Sequence, residues 1–248
     1  PASAGEMHNV AIGYNAGTAI TTGTNNTLIG GLAGDALTSG VNNVAIGQGA
    51  LSSQVLFGQN VAIGYRALLN QNNSGHANNT AIGMQAGMSV TTGSANTFVG
   101  SSAGTGLTTG VDNVAVGAGT LISANGGNRS VAIGKNALSA QNAGSAGQNM
   151  YNTAVGYVAG QSITTGTKNT LIGGDVGVSL TIGNFNTALG YGALNVSVDG
   201  DYNTAIGYQA LLSYEDGDGD GHNTAVGAQS QRNATTGQFN VSLGSSSL

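Results

Sequence analysis

Apolar and polar positions along this chain alternate in short bursts. Asn9-Val10-Ala11-Ile12-Gly13 sets a pattern of polar, β-branched, small, aliphatic, glycine that returns fourteen times, with its closing glycine at 13, 30, 47, 64, 83, 100, 117, 134, 156, 173, 190, 207, 227 and 244. Alternation with a period of two is the mark of a strand, whose successive side chains point to opposite faces. Most steps between these glycines are 17 residues. That is too short for a helical-pair repeat or a propeller blade and fits one coil of a β-solenoid, which buries its apolar face only by stacking on its neighbours. The expected fold is therefore all-β, a parallel β-solenoid of about 14 coils of 17 residues, with the whole chain, 1–248, as one array. A second glycine ten residues after the first in most coils (Gly23, Gly40, Gly93, Gly110) predicts a second corner, two short strands per coil and a flattened roll.

A longer period lies above the short one. Every fourth step is lengthened, to 19, 22 and 20 residues, which divides the chain into four-coil blocks at 9–78, 79–151 and 152–222 and a partial block at 223–248. Counting the Asn as position 1, position 9 reads Gly, Gly, Leu, Leu within each block (Gly17, Gly34, Leu51, Leu68, then Gly87, Gly104, Leu121, Leu138). Where it is Gly, an aliphatic residue stands at position 12 instead, as Ile20, Leu37, Val90, Leu107, Ile163 and Leu180. Each coil thus supplies one large apolar plug by either of two routes, and the total core volume is kept.

Asn9, Asn26, Asn43, Asn60, Asn79, Asn96 and Asn113 head the first seven coils, and only Ser130 interrupts the column. Identical amides stacked about 4.8 Å apart can hydrogen-bond into a ladder, so these residues are read as structural. A roll filled by Ala, Gly and one plug per coil has a thin core, and neither alternate set in the strand is charged. One strand face is expected to close the roll and the other to meet another chain. A homotrimer, intertwined or side by side, is the simplest closed arrangement, and end-to-end stacking into a filament is a second form of self-association.

Charge narrows the function. Lys plus Arg number 5 against 10 Asp plus Glu, a net −5, and no basic stripe exists to displace counterions from nucleic acid. Aliphatic runs are far too short to span a membrane. There is no cysteine, and only three histidines are scattered through the chain, so nothing resembles a catalytic constellation and no enzymatic activity is expected.

Candidate chemistry gathers in the insertions at 70–78, 141–151 and 213–222, which are expected to project from one side of the rod at every fourth coil. Tyr151, Tyr202 and Tyr214 lie in or near them and suit stacking and hydrogen bonding to a sugar. Asp216, Asp218 and Asp220 form the alternating-oxygen opening of a calcium loop without its closing Glu, which makes calcium the one cofactor with a candidate site; a plain acidic turn is the alternative. His8, His76 and His222 sit at block starts or in an insertion, where lone surface histidines are the commoner reading. Thr153, Thr170, Thr187, Thr204 and Thr224 form a position-2 column of the kind that could bind ice, but they share a face with the aliphatic position 4 and are expected to be buried.

Asn9-Val10-Ala11-Ile12-Gly13 and Ser130-Val131-Ala132-Ile133-Gly134 resemble the head repeats of YadA-like trimeric autotransporter adhesins. The variant Asn203-Thr204-Ala205-Ile206-Gly207-Tyr208-Gln209-Ala210-Leu211 is similar to repeats of phage tail-fibre proteins. The resemblance covers nearly the whole chain. It implies a left-handed β-roll in a homotrimer and a non-enzymatic extracellular fibre segment, on a bacterial cell surface or a virion, that supports adhesion to a cell-surface glycan or protein receptor. A phage tail-fibre shaft and a purely structural self-assembling filament are the alternatives.

Overall fold

A computed structural model describes residues 7–214 and 220–247. Fourteen strands of three residues each, from β1 (Val10–Ile12) to β14 (Val241–Leu243), pair in parallel in strict chain order and form one β-solenoid. No helix occurs among the described residues, so none is long and apolar enough to cross a membrane. Equivalent positions lie directly opposite one another in every pair, as Val44 with Val61 and Ala45 with Ala62. The insertions leave this register intact: Val61 pairs with Thr80 and Val131 with Thr153.

The strands are this short because glycine ends each one. Gly47 adopts φ +131°, and a Cβ there would sit 2.5 Å from the carbonyl oxygen of Gly64 in the next coil. The column therefore needs glycine both for its backbone angle and for the close approach of stacked copies.

The expected second strand does not form. Beyond the glycine the chain still hydrogen-bonds from coil to coil, with Gly34 N–H donating to Ala50 O at 2.9 Å and Thr21 N–H to Thr38 O at 2.9 Å. Positions 7 and 9, however, take left-handed angles, such as Arg66 at φ 55° and Leu68 at φ 48° in the fourth coil. Left-handed residues at alternate positions break the extended run that a strand needs. One sheet faces a side built from stacked turns.

Position 3 of the strand points into the coil and positions 2 and 4 point away from it. From the second strand onward position 3 is buried, as at Ala45, Ala62 and Ala81 and at the large variants Leu28, Phe98 and Leu171, whereas Ala11 at the first strand is exposed. The two plug routes are also seen, since Leu37, Val90, Leu107, Ile163 and Leu180 at position 12 and Leu51, Leu68, Leu121, Leu138, Leu194 and Leu211 at position 9 are all buried. In Gly-type coils the space is already taken: a Cβ on Gly104 would lie 2.3 Å from the Phe98 ring. The threonine and valine column at position 2 is not buried, contrary to expectation, because its face looks away from the interior of its own coil.

Candidate interaction surface

The Asn column lies at the start of each strand, and its side chains are buried. Asn26 Oδ1 accepts from both the backbone N–H and the side-chain amide of Asn43, each at 3.0 Å. The Asn26 side-chain amide also donates across the coil to Gly40 O at 2.8 Å. One side chain thus links three coils and closes the corner where the second glycine stands. The pattern recurs at Asn9, Asn96, Asn169 and Asn186. At block boundaries a position-12 glutamine joins the ladder. Gln71 accepts from Asn79 at 2.7 Å, and Gln141 accepts from Asn152 at 3.0 Å and pairs with Ser130. A buried amide with all its groups paired is scaffold, since nothing is left over to meet a ligand.

The outward sheet face is uncharged at positions 2 and 4 along its whole length. Its position 2 is Thr or Val and its position 4 is Ile, Val or Leu in every coil. Exposure is greatest at the end strands, where Ile12 is 59% and Leu243 80% exposed, and between them it is highest at Leu189 of β11 (Thr187–Leu189), at 45%, next to β10 (Thr170–Ile172).

The residue just before each Asn forms one border of this face. All fourteen residues there, from His8 through Asn25 and Asn42 to Phe239, are non-glycine and take φ between 44° and 66°. In the second half of the chain this border stacks in two runs, from Asp112 to Tyr151 and from Lys168 to Phe239. Arg129 pairs with Asp112 at 3.5 Å and donates to the Tyr151 hydroxyl at 2.8 Å. Lys168 lies 4.5 Å above the Phe185 ring. Phe185, Tyr202, His222 and Phe239 follow with ring centres 4.7, 4.9 and 5.1 Å apart and planes within 14°. These separations match the coil repeat of about 4.8 Å, so the stack is set by the backbone spacing.

The other border, at position 6, carries Tyr157, Tyr191 and Tyr208, all exposed. Tyr191 and Tyr208 stack at 6.0 Å. The Tyr191 hydroxyl donates to Asp175, and this hydrogen bond to a carboxylate raises its pKa.

The sequence-derived site residues do not come together as one site. Tyr151 is exposed, with Arg129 against its ring and hydroxyl. Tyr202 is also exposed, but both faces of its ring are covered, by Phe185 and His222, so it offers an edge where a sugar would need a face. Tyr214 is fully buried at position 12, where it adds to the position-9 plug Leu211 of the same coil and has no surface to offer a ligand. The insertions at 70–78 and 141–151 are anchored more than projecting, because Gln71, Ala77, Gln141, Ala143 and Met150 are buried and short stretches such as residues 144–147 are exposed.

Asp216 and Asp218 lie outside the described residues. Asp220 is exposed and sits 3.6 Å from the His222 imidazole. Among the described residues no group of three or more His, Cys, Asp or Glu is placed to hold a metal ion. His76 makes an edge contact with Phe57 at 6.0 Å. What sequence reasoning missed was the border stack, although its signal was present: five of the last six residues before the ladder position are aromatic or His, once Tyr151, Phe185, Tyr202, His222 and Phe239 are aligned. No family model matches the chain, and no curated protein matches it significantly.

Proposed function

We infer that the chain is a non-enzymatic segment of an extracellular fibre, a rigid shaft that supports attachment to cells or surfaces and works as a parallel homotrimer. The observation that carries this reading is the uncharged outward face running the length of fourteen stacked strands. A rod of that many coils is about 65 Å long, and a face about seven residues wide spans about 20 Å. It offers about 1,300 Å² per chain, or about 650 Å² to each of two neighbours in a trimer, at the lower end of the range around 800 Å² per partner for a stable interface. Three such faces closed into a triangle leave a centre about 6 Å from each sheet, close to the half-spacing of two packed sheets. A layer of Thr, Val and Ile fills that depth.

In this assembly the insertion tips and the turn-built side face solvent and are the surfaces left for a glycan or protein receptor. Retention of beads coated with the purified protein tests the reading. Binding to animal-cell monolayers supports an adhesin of a bacterial surface. Binding only to bacterial cells favours the alternative of a phage tail-fibre shaft. Beads that bind neither, from protein that grows into filaments by electron microscopy, would overturn attachment and leave the structural filament.

A further inference from the structure

The two borders of the outward face differ from each other but match across a copy boundary. In the coil of β10, Lys168 stands on one border, and Asp175, one residue past position 6 on the other side, reaches the Tyr191 hydroxyl of that border, a cation opposite an anion. In the next two coils both borders are aromatic: Phe185 with Tyr191, then Tyr202 with Tyr208. Within one chain the members of each pair cannot meet, because the strand lies between them and separates them by about 20 Å.

All six are held in place by their own column. Lys168 rests on Phe185, which stacks on Tyr202. Tyr191 stacks on Tyr208 and donates to Asp175. Side chains already ordered by stacking lose little entropy when a partner docks.

We propose that parallel copies of this chain meet along a level seam, with the Lys168–Phe185–Tyr202 border of one copy against the Asp175–Tyr191–Tyr208 border of the next. This rests on the parallel self-association inferred above and adds which borders meet and at what height. Such an interface is heterologous, joining two different edges of one face, and it closes on itself by rotation about the rod axis. An antiparallel arrangement would set like borders together. An axial slip of one coil would place Lys168 against Tyr191 and leave Asp175 unpaired. The one like-charged match, Arg129 and Lys135 in the eighth coil, is relieved because Arg129 is tied along its own column by Asp112 and Tyr151.

The chain contains no cysteine, so a Tyr202→Cys/Tyr208→Cys variant reports the seam cleanly. A disulfide needs Cα atoms within about 7 Å, which excludes a bond within one chain. Mild oxidation is expected to give a covalent trimer on denaturing gels. A covalent dimer would keep the seam and overturn the threefold reading. If the variant stays associated by light scattering but forms no disulfide, the seam is wrong and self-association stands. If the unmodified protein is itself a monomer, both fall. Charge variants supply a second measure that keeps every ring of both aromatic columns. Lys168→Asp is expected to raise the concentration for half-assembly about tenfold, and adding Asp175→Lys to restore it. Failure of the second change to restore assembly would overturn the seam.

Discussion

At the scale of single residues, the asparagine ladder shows how one side chain can hold three coils. Asn96 donates to Asn79 Oδ1 in the coil before at 3.1 Å and to Gly110 O in its own coil at 2.8 Å, and accepts from Asn113 in the coil after twice, at 2.9 and 3.1 Å, all within the buried interior. Asn96→Ala leaves the Gly110 carbonyl and the Asn113 backbone N–H without these partners, each costing about 1–3 kcal/mol when buried. We expect a loss of about 2–4 kcal/mol, seen as faster hydrogen exchange in the coils on either side, whereas Ala95→Ser on the exposed border should change little. The role of Asn9 through Asn113 was legible in the sequence because identical amides at one coil position have a single economical arrangement. The fate of Tyr202 and Tyr214 was not legible. Both read as polar-tipped aromatics near an insertion, yet one lies in a surface stack and the other in the core, a difference set by which side of a turn each occupies.

At the scale of the coil, the core is filled by compensation between positions 3, 9 and 12. The sixth coil uses Phe98, Gly104 and Leu107, and the seventh uses Ala115, Leu121 and Ala124, all buried apart from the glycine's missing side chain. Gly104→Leu should therefore be severely destabilising, because its Cβ alone would collide with the Phe98 ring. Phe98→Ala alone should cost about 3–5 kcal/mol through the cavity it leaves. Combining Gly104→Leu with Phe98→Ala and Leu107→Ala recreates the seventh-coil pattern. The triple variant should melt well above the Gly104→Leu protein, and a purely additive loss would show that the coils are not interchangeable. The alternation of plugs was readable from periodicity. The single strand per coil was not, because left-handed angles at Leu51 and Leu68 are adopted by residues whose side chains give no hint of them.

At the scale of the whole molecule, the decisive feature is a sheet with one face closed by its own coil and the other left open. Leu189→Glu on the open face should fold normally, with unchanged circular dichroism, while its mass by light scattering falls to that of one chain. Retention of the assembled mass would remove this face from the interface. The same substitution at Ala188, one residue away, points inward and should prevent folding, since an unpaired buried carboxylate is strongly disfavoured. The sequence by itself determined the solenoid, its coil length, its four-coil blocks and the structural role of its asparagines, because each follows from a repeat that only stacking can satisfy. Only the tertiary structure decided which alternate set faces inward. A strand of Val, Ala and Ile is apolar on both sides, and the choice depends on how the turns close behind it. Small residues went inside because the coil is narrow, and this left the larger Val, Ile and Leu side chains as the surface on which the proposed assembly depends.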